Sequence, residues 1–180
     1  MERRVEHLSQ PDEPQLHQSL EALIGKGVEI HTPRVGITDK AGLLAGLGNR
    51  RVTTYARKLV NMPEVKISTE PRDATVVIVT GNILVPDNDG YITTEQARQA
   101  AKNLGLSPIQ VDEFLVTLPT VDHPRGDWVV GMHEPIMGLV DDPELLIAER
   151  SGGGLWLWSY LGRPGSWWLS DCRFAFSLRK

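Results

Sequence analysis

The run Ala74 to Thr80 (ATVVIVT) constrains the fold more than any other stretch. It is β-branched and continuous, which predicts a strand buried on both faces. It ends at Gly81-Asn82, and Pro86 to Gly90 makes a turn. Two helical segments come next. Thr93 or Thr94 caps TTEQARQAAKNLGL, whose face is Ala97, Ala100, Ala101 and Leu104 and whose stop is Gly105. Ser107-Pro108 opens the second with a cap and a proline, and it runs to about Leu118 on Ile109, Val111, Phe114 and Leu115. Beyond it only strand patterns remain: Asp127–Met132, Leu145–Glu149, Leu155–Leu161 and Cys172–Leu178. Turn residues at Pro135, Asp141-Asp142-Pro143, Gly152–Gly154, Gly162 and Pro164-Gly165 separate them. Two helices followed by a meander cannot wind a parallel sheet on both sides. The order predicts an α+β domain with helices on one side of a mainly antiparallel sheet.

Residues 1–70 read as an N-terminal helical extension to a domain spanning 71–180. A polar lead-in over 1–14 precedes a helix from Pro14 to Ile24, and Val28–Ile30 is a short strand. Thr38-Asp39 caps a helix through Leu47. RRVTTYARKLV sets Val52, Tyr55, Ala56, Leu59 and Val60 on one face of another, which Pro63 ends. Val65–Ser68 is a further short strand candidate. Net charge is -4, which gives no general attraction to nucleic acid or anionic membrane. The single cysteine, Cys172, excludes an internal disulfide framework. The start has no apolar signal-peptide core, and no stretch is long and apolar enough to span a bilayer. The expectation is a protein soluble as made, with no membrane insertion.

Several motifs invite chemistry and fall short of it. Asp87-Asn88-Asp89-Gly90 resembles the middle of a calcium loop, but its first position is Val85 and its twelfth is Gln96. A polar turn is the expectation, with weak Ca2+ binding at Asp87 and Asp89 left open. Thr93–Leu118 has a helix–turn–helix look, yet its second helix begins Ser-Pro-Ile-Gln-Val-Asp-Glu, which is acidic where DNA reading needs basic and amide groups. A structural helix pair is the expectation there. His123, His133 and Glu134, with Asp122 and Asp127, have no metal-site spacing. No nucleophile elbow or phosphate loop is present, so no catalytic residue, metal or cofactor is expected.

The last thirty residues hold four of the five tryptophans, Trp156, Trp158, Trp167 and Trp168. From Leu155 the period is two: Trp156 and Trp158 point one way, Leu155, Leu157 and Ser159 the other. Phe174 and Phe176 alternate likewise with Arg173, Ala175 and Ser177. Core packing explains Trp156, Trp168, Phe174 and Phe176. It does not explain Trp158, Tyr160, Arg163, Trp167, Leu169 and Arg173, which are too many large side chains to bury in so short a span. Tyr, Trp and Arg are also the types enriched at binding hot spots.

The tail GLWLWSYLGRPGSWWLSDCRFAFSLRK resembles the C-terminal segment of the variable proteins of diversity-generating retroelements. The family frame G-x-W-L-x-x-x-x-x-x-P-G-x-x-W-x-x-D-x-x-F-A-F is matched at Gly154, Trp156, Leu157, Pro164, Gly165, Trp168, Asp171, Phe174, Ala175 and Phe176; Glu134-Pro135-Ile136 resembles its upstream part. The resemblance covers roughly 128–180. It implies a C-type lectin-like domain (strand, two helices, antiparallel strand meander) in which Ala74–Thr80 pairs with Cys172–Leu178. It implies a variable region of about 145–178, rewritten by adenine mutagenesis. The rewritten positions would be Trp158, Tyr160, Gly162, Arg163, Ser166, Leu169 and Cys172, joined by Ile147, Glu149, Leu155, Trp167, Ser170 and Arg173. The implied function is non-enzymatic binding of a protein or other macromolecule, as in phage receptor recognition or surface display, by a chain that is cytoplasmic as made or virion-associated. Calcium-dependent sugar binding is not implied, because Glu134-Pro135-Ile136 lacks the amide and no Trp-Asn-Asp is present. The competing reading is a helical adaptor or DNA-associated regulator using residues 38–118, with the C-terminal aromatics as core. An enzyme on the same scaffold is a third, against which the absence of a second cysteine argues.

Overall fold

The computed structural model describes residues 22–179. The first part of the helix expected from Pro14 therefore lies outside the described residues, and its end is not helical: Leu23 sits in a turn and Ile24 makes an isolated bridge to Val28. Strands β1 (Val28–His31), β2 (Arg34–Val35) and β3 (Arg51–Val52) and helices α1 (Lys40–Ala45) and α2 (Thr54–Asn61) lead to β4 (Arg72–Asp73) and β5 (Val76–Thr80). Next come α3 (Gly81–Leu84), β6 (Tyr91–Thr93), α4 (Thr94–Asn103), β7 (Leu106–Pro108) and α5 (Val111–Thr117). The chain ends with β8 (Trp128–Gly131), β9 (Ile136–Met137), β10 (Pro143–Ser151), β11 (Gly154–Leu161), β12 (Trp167–Leu169) and β13 (Arg173–Leu178).

Side-chain caps place the helices. Asp39 accepts from Gly42 N at 2.8 Å to start α1, and Thr53 accepts from Ala56 N at 3.2 Å to start α2. The amphipathic pattern begins earlier, at Val52, but Arg51 and Val52 pair with β11 instead of entering the helix. Thr93 and Gln96 form a reciprocal capping box on α4. The expected start of the following helix at Ser107-Pro108 is corrected: Leu106–Pro108 pairs along β13, and Gln110 with Glu113 caps α5. Backbone partners in a sheet outcompete a local cap signal here. Val65–Ser68 is not a strand; Ser68 N instead donates to the Asp112 carboxylate at 2.9 Å.

The main sheet runs β1-β5-β13-β8-β10-β11-β3, with β7 and β9 attached to β13 and β10. Only β13–β8 and β11–β3 pair in parallel, so the sheet is mainly antiparallel. The pairing expected of the first and last strands is present, with Phe174 opposite Val79 and Phe176 opposite Val77.

Both faces of this sheet are buried. One sets Val76, Ile78, Val129, Leu146 and Ala175 under α1, α2 and α5; the other sets Val77, Val79, Val130, Leu145 and Phe174 under α4 and the β6–β12 ribbon. Helices thus cover two sides rather than the one expected, because central strands that are apolar on both faces need two covers. The helices α4 and α5 lie on opposite faces, so Thr93–Leu118 is not a packed helix pair. The sheet and the first core both cross the boundary expected near residue 70, through β1, β3, α1 and α2.

Candidate binding surface

Alternation along β11 puts Trp156, Trp158 and Tyr160 on one face, and the register sets Glu149, Ile147 and Leu145 beside them on β10. An aromatic chain runs across this face. Trp128 meets Trp158 at 5.1 Å between ring centroids, Trp158 meets Tyr160 at 6.0 Å, Tyr160 meets Trp168 at 5.7 Å, and Trp168 meets Phe174 at 6.3 Å. The pairs are edge-on or nearly so, the favoured aromatic geometry. The inner end is fixed: Trp168 is buried and its Nε1–H donates to Thr94 Oγ1 at 2.9 Å. The outer end, Tyr160, is 44% exposed. Trp158 is half-buried, and its indole N–H has no partner among the described residues. Arg51 lies over the Trp156 ring at 5.2 Å, a cation–π contact.

The second aromatic group stands on the β6–β12 ribbon. Trp168 and Ile92 face the core, so their neighbours Trp167, Leu169 and Tyr91 face out, at 69%, 51% and 52% exposure. The Tyr91 and Trp167 rings are 6.0 Å apart. Backbone bonds lock the ribbon at both ends. Ser170 N donates to Gly90 O at 3.0 Å, while Thr94 N and Glu95 N donate to Ser166 O and Pro164 O, each at 3.0 Å.

The positions expected to vary divide by burial. Tyr160, Arg163, Trp167 and Leu169 are exposed, and Trp158, Glu149, Leu155 and Ser166 are half-buried, Leu155 on the opposite face of β11. Arg163 pairs with Asp142. Ile147, Gly162, Ser170, Cys172 and Arg173 are buried. A Cβ on Gly162 would lie 2.6 Å from Leu145 Cγ. Cys172 packs into the second core, where burial, and then Asp171, pushes its thiol up to about 12. Arg173 opens the central strand β13 and is the hub of a buried polar cluster. It donates to Asp127 at 2.9 Å, to Glu29 at 2.6 Å and to the Asp122 carbonyl at 2.6 Å. The period-two pattern finds outward positions on an outer strand but cannot tell that β13 has neighbours on both edges and covers on both faces.

Tyr91 and Trp128 join the two groups without having been singled out. The signal for Tyr91 was present, since Gly90-Tyr91-Ile92 alternates outward with inward just after a turn. In that turn Asn88 accepts from Gly90 N at 2.8 Å and donates to the Val85 carbonyl. Asp87 and Asp89 are exposed. Among the described residues no three His, Cys, Asp or Glu side chains cluster as metal ligands would. His133 is fully committed: Nδ1–H donates to the Glu134 carbonyl at 2.7 Å and Nε2 accepts from Leu146 N at 3.0 Å. Burial lowers it from an ordinary 6.5 to about 4. A cleft of about 790 Å³ lies between residues 64–72 and the start of α5, but its Arg72 is already tied to Glu113 at 2.7 Å and Gln110 at 2.8 Å.

No protein-family model, curated protein or solved structure matches this chain.

Proposed function

We propose that this chain is a C-type lectin-like variable protein of a diversity-generating retroelement, a non-enzymatic binder of a macromolecular ligand. The observation that carries the reading is the division of the tail. The apolar frame residues Leu157, Trp168, Phe174, Ala175 and Phe176 are buried and Trp156 is half-buried, with Gly154, Pro164, Gly165 and Asp171 of the frame exposed; Tyr160, Arg163, Trp167 and Leu169, interspersed among the apolar ones, are exposed. Large apolar side chains held outward on hydrogen-bonded strands are what a binding patch needs, because little ordering entropy is lost when a partner docks. The β5–β13 pair, the two longer helices α4 and α5 among the three between β5 and β8, and the β8–β10–β11 meander support the lectin-like assignment.

The working positions are Trp158, Tyr160, Arg163, Ser166, Trp167 and Leu169, with Glu149 beside them. The orphaned N–H of Trp158 fits a position whose side chain the scaffold does not complete. Ile147, Gly162, Ser170, Cys172 and Arg173 fall outside the contact set, since a buried residue reaches a ligand only by disturbing the fold. The adaptor reading loses ground, because the apolar faces of α1, α2, α4 and α5 are all spent in the two cores.

The test is genomic. A near-copy of the coding tail beside a reverse transcriptase gene, differing only where the template has adenine, is the expected result. Its absence from the locus in complete genomes overturns the retroelement assignment.

A further inference from the structure

The β6–β12 ribbon has a charge character that sets it apart from a generic sticky patch. Its segments, 85–95 and 163–171, carry four carboxylates, Asp87, Asp89, Glu95 and Asp171, all exposed. Their only cation is Arg163, which is already paired with Asp142. None of the four carboxylates forms an ion pair among the described residues. The backbone bonds fix where they stand. Ser170 N to Gly90 O brings the Asp87–Gly90 turn alongside Asp171 at one end, and Glu95 N to Pro164 O holds Glu95 at the other. Between the two ends lie Tyr91, Trp167 and Leu169, all more than half exposed.

Resting on the reading above, we infer that this ribbon docks a polypeptide segment of a partner protein that sets arginine or lysine beside apolar side chains. The aromatic pair offers ring faces to a cation, and the aliphatic stems of Lys and Arg extend the apolar contact. The unpaired carboxylates supply complementary charge at the rim, where charge steers encounter and selects among partners. The same carboxylates repel nucleic-acid phosphates and anionic lipid headgroups, so stacked bases or a membrane surface are poor occupants despite the aromatics. The ribbon is preorganised, since Ile92 and Trp168 anchor it below and both strands are hydrogen-bonded.

The test sorts a random peptide library against the immobilised full chain. The expected result is recovered peptides enriched in Arg or Lys next to aromatic or aliphatic residues. Replacing all three of Asp87→Asn, Asp89→Asn and Asp171→Asn then weakens them roughly tenfold, as three rim charges should. Trp167→Ser removes their binding. Each variant is first matched to the parent by thermal melting, and Tyr91→Ser serves as a second ribbon variant if Trp167→Ser shifts the melt. Neutral or acidic peptides, or basic peptides indifferent to the amide variants, overturn the inference. So does a free chain that sediments as a dimer and becomes monomeric on Tyr91→Ser, because a second copy is then the occupant. The two readings fail separately. If paired Trp158→Ser and Tyr160→Ser abolish binding while the ribbon variants do not, the binding function stands and this inference falls. If neither set affects binding, both fall.

Discussion

His133 accepts from the Leu146 N–H, which an imidazolium cannot do, so its neutral form is part of the fold. Above pH 6.5 the ring is neutral in the folded and the unfolded chain alike. Below that the unfolded chain takes a proton that the folded chain refuses until about pH 4. Stability should therefore fall by about 3 kcal/mol between pH 6.5 and 4. Urea unfolding across that range measures it, and His133→Gln, which keeps a donor and an acceptor, should flatten the slope. A second residue-scale test concerns Arg173. Removing it leaves Asp127 nearly buried with one cation fewer, and truncation of a buried pair costs about 3 kcal/mol or more. Arg173→Ala should thus lower the urea midpoint sharply, whereas Arg163→Ala, whose own side chain is well exposed, should move it little. The sequence marks both arginines as neighbours in one aromatic-rich tail. Nothing in their local pattern tells that one ends in an exposed pair with Asp142 and the other between Glu29 and Asp127, which lie far off in the chain.

At the scale of elements, the β11–β12 connection is tighter than its glycine and proline content suggests. Gly162 is buried against Leu145, which is itself fully buried and cannot easily yield. Gly162→Ala should cost about 1–3 kcal/mol by overpacking, while Tyr160→Phe, which keeps the ring contacts with Trp158 and Trp168, stays within about 0.5 kcal/mol. Calorimetric melting of the two variants side by side checks the contrast. Trp168→Phe leaves the fully buried Thr94 hydroxyl without its indole donor and should destabilise the chain by about 1–3 kcal/mol. The elements were readable wherever periodicity and caps agreed. The strand at Ala74–Thr80, α4 with its Thr93 cap and the outward–inward order of Trp156–Tyr160 all follow from local pattern. The departures share one cause. Ser107-Pro108 carries a helix-start signal, and Val52 the phase of α2, yet both stretches are pulled into strands by partners distant in sequence. Local rules do not contain those partners. The resemblance, which ranks positions along the chain and not their cover, likewise implies surface positions at Cys172 and Ile147, which the sheet's second cover buries.

For the whole molecule the decisive fact is the position of β13. It follows every other strand in the described chain, yet it sits between β5 and β8 and holds the two halves of the main sheet together. Deleting residues 172–180 should leave no cooperative unfolding transition, because β5 and β8 lose their shared neighbour and both cores open at once. Far-ultraviolet circular dichroism with a urea series on the truncated chain measures this; a residual sigmoidal transition would show that the earlier strands fold unaided. On the ribosome the arrangement imposes a wait. Strands made early have no lasting place until residues 173–178 have been translated and have left the exit tunnel, so folding waits on the central strand of the sheet. A premature stop codon within the tail would then give an open chain with two apolar faces. Such a truncation would be felt by the individual polypeptide during its own synthesis, whatever its finished surface does.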